Sequence, residues 1–178
     1  MRNKKILAVV LVCTLAIGCN TLASIQKWEP VALQAFSYII SILQSNGVIT
    51  AGTQTVLATD AATANADFGD LASDITAAQA SSALATGSLN KTIAVLGSLQ
   101  KDLGQIITDT HLPAKDQTAV SEGLQGLIVV LASFQTQLTP VAAGRAKLSS
   151  VKPPDLAGFK ARFNLTMVTA GHPDKILR

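Results

Sequence analysis

Apolar residues recur along this chain at helical spacing, in stretches separated by glycine, proline or small polar residues. From Val31 to Ser45 the polar positions Gln34, Ser37, Ser41, Gln44 and Ser45 make one narrow stripe, and the remaining circumference is apolar. A helix with that pattern is buried on several sides. Glu29-Pro30 predicts its start, because proline suits a first turn and an acid complements the positive helix end. Asn46-Gly47 predicts its stop. Leu57, Ala61, Ala64, Phe68, Leu71 and Ile75 then follow at alternating steps of four and three, and the same phase continues through Leu89, Leu96, Leu99, Leu103 and Ile106. Taken literally, this seam is one long rod. Thr86-Gly87-Ser88 offers a stop followed by an N-cap, so the preferred reading is two helices, roughly 53–83 and 88–109, folded back as a hairpin. The continuous rod remains the alternative.

Pro113-Ala114-Lys115-Asp116 predicts another helix start, followed by Val120, Leu124, Leu127, Leu131, Phe134 and Leu138 on one face. Ile128, Val129 and Val130 widen that face and make this helix central. Pro140 predicts its end, since the residue before a proline is pushed out of the helical region. Val141–Leu148 is a candidate short extra helix, Lys152-Pro153-Pro154 a linker, and Asp155–Phe163 one further weak helical piece. No sustained period-two alternation supports strands. The fold class is therefore all-α: an antiparallel bundle of about four helices, then a loosely structured C-terminal tail. Gly69, Gly97, Gly104, Gly123 and Gly126 fall inside these helices. Each costs about 1 kcal/mol relative to alanine, and close packing and local bending are both open as the reason.

The first nineteen residues have a different pattern. Arg2, Lys4 and Lys5 precede an uncharged, mostly apolar run from Ile6 to Ile17, which ends at Gly18-Cys19. A basic start, an apolar run of this length and small residues at the cut describe a secretory signal. The run falls short of the ~20 residues a spanning helix needs. Leu15-Ala16-Ile17-Gly18-Cys19 resembles the lipobox of bacterial lipoproteins, with Ala16 where that family most often has leucine. The resemblance implies that the peptide before Cys19 is removed and that Cys19 carries covalent lipid. Asn20, in place of the aspartate that resembles an enteric inner-membrane retention signal, favours the outer membrane where the source has one. The alternative is plain secretion with cleavage after Ala23. Cys13 would leave with the signal and acylation would consume the one remaining thiol, whereas an unpaired thiol in an oxidising compartment is a liability. The expected organisation is a signal peptide (1–18), a lipid-anchored tether (19–28), a helical bundle (29–149) and a basic, proline-containing tail (150–178). A tether that short keeps the domain near the bilayer, with Trp28 either at headgroup level or packed at the start of the first helix.

Charge refines this picture. The net charge of +3 comes from Arg2, Lys4 and Lys5, so the expected mature chain is balanced. Residues 19–144 carry 4 basic and 9 acidic side chains, and residues 145–178 carry 7 basic and 2 acidic ones. The basic tail has three readings: contact with anionic headgroups through Lys152, Lys160 and Arg162, folding back on the acidic part of its own domain, or disorder. Asp60, Asp67, Asp70 and Asp74 form an acidic strip, a candidate docking surface or a solvated face. Its members two turns apart, ~10 Å along the axis, cannot share one small ion. The two histidines, His111 and His172, both lie beside prolines. Asp109-Thr110-His111 has the residue types to orient an imidazole as a base, although a histidine at a helix C-terminus is an ordinary structural feature. No zinc motif, phosphate loop or serine elbow occurs. The expectation is a non-catalytic, lipid-anchored binding or scaffolding module of the cell envelope, with membrane lipid and an envelope protein as partners, no nucleic acid, no metal and no cofactor beyond the covalent lipid. The rival reading is a membrane-active protein of pore-forming or phage-exclusion type, in which the apolar helices around 31–43 and 124–134 enter a bilayer.

Overall fold

The computed structural model describes residues 2–50, 56–80, 86–109, 111–143 and 154–178. It has five helices: α1 (Arg2–Ser45), α2 (Val56–Ala80), α3 (Thr86–Asp109), α4 (Ala114–Ala142) and α5 (Leu156–Thr169). Among the described residues there is no strand. α1 packs on α2 and α4, α3 packs on α2 and α4, and α5 lies against α4. The first four helices thus close an up-down-up-down ring around one core, and α5 is added outside it.

The heptad-like seams are the core. Leu57, Ala64, Phe68, Leu71 and Ile75 of α2 are buried, as are Leu89, Leu96, Leu99, Leu103 and Ile106 of α3. Leu124, Leu127, Leu131, Phe134 and Leu138 of α4 are buried with them. α2 and α3 are separate helices packed against each other, so the hairpin is the observed arrangement and the rod is not. α3 begins at Thr86, which puts Gly87 and Ser88 inside its first turn instead of at a cap. Residues 81–85, between the two helices, lie outside the described residues.

Two helix ends follow their local chemistry closely. At Asn46-Gly47, the Gly47 N–H bonds to the Gln44 carbonyl at 3.0 Å and the Val48 N–H to the Leu43 carbonyl at 2.9 Å. This is a Schellman end, and it needs the positive φ of 70° that Gly47 adopts. Pro113 caps α4, its carbonyl accepting from the N–H groups of Asp116 and Gln117 at 2.9 Å each.

Three expectations fail, each because packing overrides a local signal. α1 does not begin at Glu29-Pro30. It runs through Pro30 unbroken. Residues 21–28 are therefore helix and not a tether, and Leu22, Ile25 and Trp28 lie in the core. Their spacing of three carries the same apolar face that Ala32, Ala35 and Ile39 continue, and that burial outweighs the backbone bond Pro30 removes. Pro140 likewise lies inside α4, which ends at Ala142. Of Val141–Leu148, where a short extra helix was expected, residues 141–142 belong to the end of α4 and residues 144–148 lie outside the described residues. Finally, the tail from Pro154 onward is ordered on the bundle and is neither loose nor laid on the acidic strip. Asp155 caps α5, accepting from the Ala157 N–H at 3.1 Å, and Phe159, Phe163 and Met167 are buried.

Candidate functional sites

The docking of α5 on α4 explains two of the interior glycines. A Cβ at Gly123 would sit 3.0 Å from Ile39 Cδ1 and 3.3 Å from Phe163 Cε2. A Cβ at Gly126 would sit 3.1 Å from Phe159 Cε2. Close packing is therefore the reason for both. Gly69 and Gly104 face open space instead. Trp28 completes the joint, its ring centroid 5.0 Å from that of Phe159 and 6.3 Å edge-on from that of Phe134. Its Nε1–H donates to the Pro154 carbonyl at 3.3 Å. At 4% exposure Trp28 is an internal anchor for the tail and has no face left for a headgroup layer.

Beside this joint runs a groove of about 470 Å³, with Trp28, Val130, Phe159 and Phe163 at its base. Val129, 64% exposed, and Arg162 stand at its rim. Both neighbouring acids are engaged: Glu122 accepts from Thr166 Oγ1 at 2.9 Å, and Asp155 caps α5. The sequence held no signal for this groove, because it depends on how the tail docks.

The other end of α5 is fastened by polar contacts. Ala170, Gly171 and His172 close a second Schellman end, with the His172 N–H on the Met167 carbonyl at 2.8 Å and Gly171 at φ 89°. His172 Nε2 then lies 2.9 Å from Asp116 Oδ1, and Asn46 Nδ2 donates to Asp116 Oδ2 at 3.0 Å. Asp116 is 2% exposed. Burial pushes its carboxyl upward, but the hydrogen bonds from His172 and Asn46 outweigh burial and hold it below the usual carboxylate range. The cluster ties the α1 stop, the α4 start and the end of α5 into one knot. Asn164 adds a clamp, donating to the Leu177 carbonyl at 3.0 Å and accepting from the Leu177 N–H at 2.7 Å.

The remaining expected residues do not converge. His111 is exposed, and its Nδ1 faces the Asp109 backbone carbonyl at 3.4 Å. The Asp109 carboxylate instead accepts from Gln105 at 3.1 Å, so the proposed acid–imidazole pairing is absent. The acidic strip divides. Asp70 is exposed, Asp74 half-buried, and Asp60 and Asp67 turn toward α3. There they meet Asp102, a juxtaposition set by the register between α2 and α3 and not by spacing within either helix. Each of the three has a buried Oδ2 without a hydrogen-bond donor. Burial first, then the Asp67 charge, raises the Asp102 carboxyl above its ordinary value, with Lys101 opposing. Among the described residues, no group of three or more His, Cys, Asp or Glu is placed to hold a metal ion. Lys160 donates to the Arg178 carbonyl, Lys175 pairs with Asp174 at 3.5 Å, and Lys152 lies outside the described residues.

Among the described residues, no helix is long and apolar enough to cross a membrane. The two segments named for insertion contribute Ile39, Ile42, Leu43, Leu124, Leu127 and Leu131 to the core, so their insertion would require the bundle to open. Set against known protein families, curated proteins and solved structures, the chain matches none.

Proposed function

We propose that the protein is a lipid-anchored module of the bacterial cell envelope that works by binding or scaffolding, without catalysis. The observation that carries this reading is the segment Leu15-Ala16-Ile17-Gly18-Cys19, which follows a basic start and an apolar run and stands three residues before Leu22, a core residue. Two or three acyl chains on one residue hold a protein stably at a membrane, where a single chain holds it marginally.

The test is the intact mass of the membrane-fraction protein beside a Cys19→Ala variant. A chain that begins at Cys19 with added acyl mass, and a variant that leaves the membrane fraction, agree with the proposal. Cleavage after Ala23 with no lipid would overturn it.

A further inference from the structure

The groove beside the α4–α5 joint has an apolar trough and a charged mouth at one end of it. Its α4 wall follows one helix face, from Glu122 through Gly126 and Val129 to Ser133, a length of about 16 Å. The hydrocarbon core of a bilayer is about 30 Å thick, so one acyl chain reaches about half of that. The trough is therefore about one acyl chain long, and its volume of about 470 Å³ is that of an ordinary ligand site. Trp28, Val130 and Phe159 form its base, and Val129 leaves 64% of its surface in water beside them. Covering that surface with hydrocarbon is favourable in proportion to the apolar area taken from water.

Among the described residues, the charged groups lining the groove are Glu122, Arg162 and Asp155. α5 runs antiparallel to α4, since Phe159 meets Gly126 and Thr166 meets Glu122. Asp155 and Ser133 therefore share the end near Trp28. Asp155 caps α5 there, with its charge against the positive end of that helix, and Ser133 Oγ accepts from Gln137 at 3.4 Å. Glu122 and Arg162 mark the other end. Thr166 holds Glu122 at 2.9 Å, and Arg162 lies one turn back on the same side of α5, about 6 Å along its axis. Among the described residues Arg162 has neither an ion pair nor a hydrogen bond.

A carboxylate and a free guanidinium one turn apart, at the mouth of an apolar trough, complement a head that carries both signs on a hydrocarbon chain. Guanidinium grips phosphate through paired N–H donors, and an ammonium supplies N–H donors to a carboxylate. We propose that this groove binds one chain of a phospholipid with an ethanolamine headgroup. The phosphate sits on Arg162, the ammonium on Glu122, and the chain runs over Val129, Val130 and Phe159 toward Trp28. A glycerol headgroup offers Glu122 no cation, and the quaternary nitrogen of choline has no N–H to donate. The site is built by Trp28 and the α4–α5 joint, so it stands whether or not Cys19 carries lipid.

The probe is a lysophospholipid brominated toward the end of its acyl chain, because bromine quenches tryptophan on contact and Trp28 is the single tryptophan. The full chain is mixed with phosphatidylglycerol vesicles, and the same brominated chain is added on an ethanolamine, choline or glycerol headgroup. The ethanolamine form quenches Trp28 at about a tenfold lower mole fraction than the other two, the effect of one further charge-assisted hydrogen bond. Arg162→Gln weakens all three by about tenfold. Glu122→Gln keeps an oxygen for Thr166 and levels the ethanolamine and glycerol forms. Lys91→Gln, which removes an exposed cation on α3 away from the groove, changes none of this. Absent quenching, equal quenching by the three headgroups, or strongest quenching by choline or glycerol overturns the site. An ethanolamine preference that survives Glu122→Gln, or quenching untouched by Arg162→Gln, overturns it as well.

Discussion

Alanine substitution at four interior helical glycines divides them into two pairs of opposite sign. In a helix, alanine is favoured over glycine by about 1 kcal/mol through backbone entropy. At Gly69 and Gly104 a new methyl meets nothing within 4 Å, so each substitution returns that full amount. At Gly126 the methyl arrives 3.1 Å from Phe159 Cε2, and at Gly123 it is wedged between Ile39 at 3.0 Å and Phe163 at 3.3 Å. Those atoms belong to buried side chains held by neighbours on both sides, so relief requires α5 to lift. Overpacking of that kind costs about 1–3 kcal/mol. The expected result is stabilisation of about 1 kcal/mol for G69A and G104A, and a net loss for G123A and G126A, most clearly at 123 where two contacts are too short. In thermal unfolding, 1 kcal/mol appears as about 2–4 °C at this size. The single tryptophan supplies a second readout, since Trp28 packs on Phe159 and its fluorescence follows α5 seating. G123A and G126A change that emission, while G69A and G104A leave it alone. Equal stabilisation at all four positions would refute the close-packing explanation of the α4–α5 joint.

Phe159→Ala removes the ring that bridges Trp28 and Gly126 and costs about 3–5 kcal/mol in urea unfolding, with Trp28 emission shifted red. Asn164→Ala leaves the Leu177 backbone without either partner and costs about 1–3 kcal/mol, read by faster amide exchange of the last residues while α2 and α3 keep their protection. The two perturbed carboxyls have opposite signs in pH titrations of stability. Asp102 has a raised folded value, so its contribution improves as pH falls through that value toward the ordinary carboxylate range, and Asp102→Asn stabilises at pH 7 and flattens this slope. Asp116 has a lowered folded value, so its stabilisation is present above the ordinary range and is lost as pH falls through the lowered one; Asp116→Asn removes that acid-side loss.

The sequence made the α2–α4 seams legible because an apolar face at steps of three and four has one good solution, a helix laid against others. Buried positions such as Phe68, Leu99 and Leu127 were readable from spacing alone. Starts and stops were less legible. Pro30 and Pro140 mark boundaries only when nothing larger competes, and buried Leu22, Ile25 and Trp28 compete successfully. The strip of aspartates was visible, but its meeting with Asp102 was not, since register between two helices is absent from the spacing within one. The α4–α5 groove was invisible for a related reason: Phe159, Phe163 and Met167 are only three apolar residues in a basic tail until Gly123 and Gly126 give them somewhere to go.

The Asn164 clamp closes on Leu177, thirteen positions further along, and Leu177 is 4% exposed. The segment after the Gly171 turn is therefore more than a trailing length of backbone: it returns a core side chain to α5 and occupies both polar groups of one asparagine. A chain shortened at His172 would lose the Asp116 partner, the buried leucine and the Asn164 bonds together, so the packing of α5 is set by residues that lie beyond the helix itself.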